Sequence, residues 1–252
     1  MPDCADRDAL LRALDTELES QRFQDYCPNG LQVEGRSEIR RIVSGVTASL
    51  ALIEAAVALE ADLLLVHHGY FWRGEPQPVT GMKRRRLQTL LRHEINLVAY
   101  HLPLDAHPRL GNNAQLALRL GLETEDVLRA DGVGLVGRLP EPIPAREFAA
   151  RIESALGRTP LWIDSGADPV GRVAWCTGAA QSLLVDAAAA GADAYVSGEI
   201  SEQTTHEARE LGIHYIAAGH HATERYGPRA LGDWCAERFG VEHRFVDLPN
   251  PA

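Results

Sequence analysis

The chain has no run of the roughly 18 consecutive apolar residues that a membrane-spanning helix needs, so no segment is expected to cross a membrane. Its first residues, Met1-Pro-Asp-Cys-Ala-Asp-Arg-Asp8, are acidic and lack the apolar stretch of a signal peptide. Cysteine is scarce. Cys4, Cys27, Cys176 and Cys235 stand far apart with no C-x-x-C pair, which excludes a disulfide framework and points to reduced thiols in a cytoplasmic protein. None has the spacing of a metal ligand; Cys27, beside the turn Pro28-Asn29-Gly30, is the one left open. Positive charge is also short: 25 Lys and Arg against 35 Asp and Glu give a net charge of −10. That disfavours nucleic-acid binding over the whole surface, and basic and aromatic residues are not interleaved as a single-strand groove requires. The local exception is Lys83-Arg84-Arg85-Arg86, first a solvated helix start and, as a sharper alternative, a patch that attracts phosphate.

What is present is enough apolar material for a substantial core: 45% of 252 residues. Short β-rich runs alternate with amphipathic segments, which predicts an α/β fold. In the first half, strands are expected at Arg41 to Val46, Asp62 to Val66 and Asn96 to Tyr100. Helices are expected at Ala9 to Leu18, Leu50 to Leu59, Arg86 to His93 and Asn112 to Leu120, the last capped by Gly121. A glycine-rich stretch, Gly132 to Leu139, marks a boundary, and the same grammar then resumes through strands near 160–163, 172–176, 192–196, 213–217 and 242–246. Helices are expected at 145–156, 182–190, 202–211 and 223–239. The expected organisation is two similar βαβ-containing halves, 1–131 and 132–252, packed as one unit with no long insertion. At one constant offset Arg41 falls on Arg172, Asp62 on Asp193 and His68 on Glu199; at a second, His101 falls on His220 and Asp105 on Glu224. This is the pattern of a duplicated βαβ unit or of the ordinary monotony of such sequences.

Three segments carry the chemistry: His67-His68, His101-x₃-Asp105 and His220-x₃-Glu224, each just after a short apolar run. Open α/β sheets bind ligands at the carboxyl ends of their strands, so the expected location is a metal site between the halves at those ends. Three imidazoles and two carboxylates suit two divalent cations sharing a pocket, of zinc, iron, manganese, cobalt or nickel rather than calcium, which takes oxygen alone. Pro103 is expected to present Asp105 from a loop, and Thr223 to cap a helix that carries Glu224. His101 is the candidate for orienting another ligand or moving a proton. His107 and His221 are expected to turn aside. Taken one at a time, paired loop histidines, a turn aspartate and a helix-start glutamate have ordinary structural explanations; their recurrence at equivalent strand ends favours the metal reading.

These residues also carry a resemblance. Asn29-Gly-Leu-Gln-Val, His67-His68-Gly69, Tyr100-His-Leu-Pro-Leu-Asp-Ala-His107, Leu110-Gly-Asn-Asn-Ala-Gln115, Ser197-Gly-Glu-Ile and Gly219-His-His-Ala-Thr-Glu224 resemble the GTP cyclohydrolase 1 type 2 homologue family, from Asp25 to the last residues. The resemblance implies a ring-shaped homohexamer with dinuclear metal centres, whose ligands fall on His67, His68, Asp105, His220 and Glu224. This chain departs from many relatives at Gly69-Tyr-Phe-Trp72, where they place a proline soon after the paired histidines, and lacks the long insertion of larger relatives.

Two cations with open coordination positions imply metal-dependent hydrolysis. The expected substrate is a nucleotide or related phosphate compound, with Arg225, or Arg84 and Arg85, as counter-charge. The alternative is a non-catalytic hexamer whose metal pocket serves a scaffolding or regulatory role. No catalytic base outside the ligand set is evident, which favours that alternative.

Overall fold

The computed structural model describes residues 4–252. It contains two compact α/β units, one made of residues 4–104 and Gly227–Leu248, the other of Asp105–Tyr226 and Pro249–Ala252. The expected division at 131/132 therefore does not follow the units. The reason is long-range strand pairing: Glu242–Phe245 lies parallel to Arg41–Thr47, Glu242 opposite Arg41, so the chain from Gly227 returns to the first sheet.

That first sheet has five strands in the order Glu242–Phe245, Arg41–Thr47, Leu63–His68, Asn96–Ala99, Gly30–Val33, the first four parallel and the last antiparallel. Leu63-Leu-Leu-Val-His67 is buried throughout, as a central parallel strand covered on both faces must be. The helix Leu50–Ala58 begins at Ser49, whose hydroxyl accepts the Leu52 N–H at 3.2 Å. Its buried face, Leu52, Ile53 and Ala56, packs with Leu64, Val66, Leu87, Leu90 and Leu97. Each such leucine withdrawn from water contributes about 1.5–3 kcal/mol.

The second unit holds a six-stranded sheet ordered Glu123–Val127, Leu135–Ile143, Val170–Cys176, Ala194–Ser197, His214–Ala217, Leu161–Ile163. Its three central strands are parallel and its flanking strands antiparallel. Glu123–Val127 was not expected: Glu-Thr-Glu-Asp-Val is exposed along its whole length and gives no apolar signal. The core includes Trp175, Phe148, Ile152, Val196 and Ile216 around the helix Ala145–Leu156.

The two units repeat in detail. Asp62 accepts the backbone N–H groups of Arg40 and Arg41 at 2.8 and 2.9 Å; Asp193 accepts those of Gly171 and Arg172 at 2.9 and 2.8 Å. The Arg41 guanidinium donates to Leu59 O at 2.9 Å, and that of Arg172 to Ala190 O at 3.0 Å. Tyr100 N–H donates to Val66 O and Ala218 N–H to Ser197 O, the corresponding pair. Arg41, Leu59, Asp62 and Val66 match their counterparts at the first offset seen between the halves of the sequence, and Tyr100 falls on Ala218 one residue short of the second, so the repeat is three-dimensional. One extra residue, Gly219, separates the strand from His220 in the second copy; its φ of +99° is a conformation glycine adopts without strain.

Candidate metal centre

In the first unit the strand expected to end at Val66 runs on to His68, with Thr47 opposite His68, so both histidines lie within the strand rather than beyond it. Their rings converge, centroids 4.5 Å apart, and His101 joins them at 5.0 Å from His67 and 5.7 Å from His68. One ligand-capable nitrogen from each of the three falls within 4.8 Å of the others. His67 is fully buried, and its Nδ1 stands 2.9 Å from Tyr100 O. A carbonyl only accepts, so Nδ1 carries the proton and Nε2 is the nitrogen with a lone pair. The Nδ1 of His68 lies 3.3 Å from Thr47 Oγ1.

His101 follows the strand Asn96–Ala99 and precedes the short helix Leu102–Ala106. Its backbone N–H donates to Asn29 Oδ1 at 2.8 Å, and its Nδ1 lies 2.7 Å from Asp25 Oδ1. The Asp25 side chain is 2% exposed and also accepts from Tyr26 N, Asn29 Nδ2 and Leu102 N at 2.6, 3.0 and 2.9 Å. Burial opposes its charge, but the His101 hydrogen bond and charge, with the Asn29 and Leu102 donors, lower it to about 2. Asp25, Cys27 and His101 also have ligand-capable atoms within 4.8 Å. Burial and the Asp25 charge push the Cys27 thiol up to about 12, which makes it a poor ligand near neutral pH. The departure at Gly69 to Trp72 builds a wall here: the Trp72 indole sits 5.0 Å from His101 and 5.9 Å from His68, fixed by an Nε1–H bond to Gly69 O at 3.1 Å.

In the second unit Asp105 lies inside the helix Leu102–Ala106 rather than in a loop, since proline is tolerated in a first helical turn. Its carboxylate is 7% exposed and accepts from Asn112 Nδ2 at 2.9 Å and, more loosely, from Thr177 Oγ1 at 3.3 Å. Asn113 ties the same turn down, donating to Asp105 O and accepting from Thr177 N–H. The expected single helix from Thr223 divides into His220–Glu224 and Tyr226–Phe239, so His220 starts a helix and Thr223 is not a cap. Instead the Thr223 hydroxyl donates to His220 O at 2.9 Å and accepts Gly178 N–H at 3.1 Å. One helical turn brings His220 Nε2 to 3.1 Å from Glu224 Oε2, while His220 Nδ1 lies 2.7 Å from Glu199 Oε1. Burial opposes protonation of His220, yet Glu224 and then Glu199 raise it to about 9.

The donors in each unit, neutral imidazole and carboxylate, fit a borderline divalent cation. The second unit also keeps space beside them: a Cβ on Gly178 would collide with Glu224 Oε1 and stand 3.2 Å from His220 Nε2. Arg225 donates to Leu156 O at 2.5 Å and to Tyr226 Oη at 3.1 Å, ties internal to the second unit. Arg84 and Arg85 are exposed on the helix Gly81–Arg92, Arg84 beside Leu87, Leu91 and Arg92. His107 closes a turn, its Nδ1 accepting Leu110 N–H at 2.9 Å, and His221 donates its backbone N–H to Ala252 O at 3.3 Å. Asp25, Glu199, Asn112, Thr177 and Gly178 were not singled out as site residues. For Glu199 the signal was its offset match to His68; for Asn112 it was the Gly-Asn-Asn motif.

Two repeated α/β units, each presenting histidine and carboxylate groups after central strands, define an α/β protein with clusters able to hold metal ions. Among the described residues no helix is long and apolar enough to cross a membrane. The chain belongs to the Duf34/NIF3 (NGG1p interacting factor 3) family, whose model matches residues 5–251. A Pseudomonas aeruginosa protein named GTP cyclohydrolase 1 type 2 homolog is 59% identical over 96% of this chain and 97% of its own. The solved structure of protein ybgI, described as of unknown function, superposes with a TM-score of 0.96 at 52% identity, covering 98% of this chain and all of that one. TTHA1606 from Thermus thermophilus does so with a TM-score of 0.91 at 41% identity, with the same coverage.

Proposed function

We propose that the chain binds two divalent cations through His67, His68, Asp105, His220 and Glu224 and hydrolyses a nucleotide or related phosphate compound. The observation that supports it is the state of His67 and His220. Each places Nδ1 against an oxygen that only accepts, Tyr100 O or Glu199 Oε1, which turns Nε2 to the role of ligand, and His68 sets its Nδ1 beside Thr47 Oγ1. Asp105 and Glu224, both buried, supply the negative charge that two cations require. When bound, such a pair supplies Lewis-acid polarisation and activation of water near neutral pH. The chain's own part is to orient the donors, through Asn112 and Thr177 at Asp105 and Glu199 at His220, and to wall the imidazoles of the first unit with Trp72. The name carried by the relatives supports a nucleotide substrate. A homohexamer in the cytoplasm completes the reading.

Elemental analysis of the purified protein is expected to give two cations per chain, and native mass a hexamer. A panel of nucleotides incubated with zinc-, iron-, manganese-, cobalt- or nickel-loaded protein is expected to yield one hydrolysed member. No turnover with any nucleotide under any of these metals would overturn the hydrolase and leave metal binding to be judged on the elemental count.

A further inference from the structure

One arginine of the second unit meets the strand exit that delivers His220. The helix Ala145–Leu156 ends at Gly157, whose φ of +66° turns the chain, and Arg158 N–H donates to Glu153 O at 3.3 Å. Leu161, soon after, pairs antiparallel with Ala217, so the turn runs back past the segment that leads into His220. There the Arg158 side chain lies over Gly219. A Cβ on that glycine would stand 2.6 Å from Arg158 Nη1, 3.0 Å from Cζ and 3.1 Å from Cδ, so only glycine leaves the guanidinium its seat. Arg158 Nη1 is buried and has no hydrogen-bond partner among the described residues. A buried guanidinium nitrogen without an acceptor is uncommon, because its lost hydration goes uncompensated. Arg158 as a whole is only partly buried, so the group is not sealed into the core. Arg225, by contrast, gives its Nη2 to Leu156 O and Tyr226 Oη.

We propose that Arg158 binds the phosphate of the substrate beside His220. The inference rests on the phosphate-compound reading above and names the residue that recognises that group. A guanidinium offers a planar fork of donors that matches two phosphate oxygens, and such a ligand supplies the acceptor that Nη1 lacks within the chain. With a net charge of −10 the surface as a whole repels an anion, so its affinity has to come from a local cation. Gly219 acts as the positioning residue: it carries the guanidinium on its bare Cα, one residue from a proposed metal ligand.

The test is calorimetric titration of the zinc-loaded full chain with inorganic phosphate, which reads binding and not turnover. The wild type is expected to bind phosphate. Arg158→Gln should weaken it about 10–100-fold, the range of a charge-assisted pair of hydrogen bonds. Arg158→Lys, which keeps the charge but not the fork, should recover only part of the loss. Guanidinium ion added to Arg158→Ala should restore binding, which a merely structural role would not allow. Arg84→Gln, the same change of charge on an exposed helix of the other unit, should bind as the wild type does. Wild-type phosphate affinity in Arg158→Gln, or an equal loss in Arg84→Gln, would sink this inference alone and leave the hydrolase reading standing. A wild type that binds no phosphate overturns it too, and the nucleotide panel then judges the hydrolase separately.

Discussion

The two units solve the same orienting problem with different material. In the second, His220 is held by Glu199, a neighbour on the adjacent strand exit whose side chain remains 40% exposed. In the first, the position that matches Glu199 is itself a histidine, His68, and the carboxylate comes from Asp25, buried to 2% and fixed by three further donors. Replacing an acid by an imidazole in one copy of a duplicated motif adds a ligand but removes a partner, and a separate loop supplies the partner. The first arrangement is rigid because burial and multiple donors leave Asp25 one position. The second keeps a longer, wetter side chain that can adjust.

The sharpest break of this comparison is in stability. Asp25→Ala strands the Tyr26 and Leu102 N–H groups and the Asn29 amide, at a cost of about 3 kcal/mol. Thermal unfolding is expected to fall by about 6–12 °C for a chain of this size. Glu199→Ala, removing a half-exposed carboxylate, is expected to stay within about 1 kcal/mol. Equal losses in the two variants would erase the distinction between a rigid and an adjustable pair.

Next in size is Gly178→Ala. The added methyl collides with Glu224 Oε1, and the backbone at φ +70° disfavours any side chain by about 1–2 kcal/mol. Calorimetric titration with zinc is expected to show cation binding weakened relative to the wild type.

The pH response separates the units further. His220 is raised to about 9, above its ordinary value near 6.5, so the native metal-free chain binds more protons than the unfolded one between those values. Its contribution is complete below about 6.5 and is lost as pH rises through about 9. Urea unfolding of stripped protein should show that decline, and Glu224→Gln should flatten it more than Glu199→Gln does. Metal-loaded protein should not show it, because the cation excludes the proton. The smallest expected effects are those of Arg84→Ala and Arg85→Ala: on an exposed helix face, each is expected to change stability by less than about 0.5 kcal/mol and cation affinity not at all.

Much of this was legible in the amino-acid order because it is local. Leu63 to Val66 reads as a buried strand from four apolar residues, and the recurrence of a histidine and an acid four residues apart marks both second-half and first-half exits. The repeat of Arg41 and Asp62 in Arg172 and Asp193 was visible as an offset, and the hydrogen bonds explain it: each aspartate anchors the start of the neighbouring strand. What the amino-acid order hides depends on distance along the chain. Asp25 meets His101 across 76 residues, and nothing in Gln24-Asp-Tyr distinguishes an orienting carboxylate from a turn residue. The break at Arg225 joins two helices whose residues are all compatible with one, and the exposed strand Glu123–Val127 owes its existence to pairing with Leu135–Ile143. The allocation of residues to units depended on a partner strand some 200 positions away.

That last pairing has a consequence for biosynthesis. Arg41–Thr47 gains its outer neighbour only once residue 245 has left the ribosome, so one side of the first sheet stays open through most of translation, while the second unit is nearly contiguous and can form first. An uncovered parallel strand is a template for wrong partners. The nascent chain is therefore most vulnerable to aggregation in the interval before its closing strand arrives, and a trigger factor or similar holdase has its greatest value there.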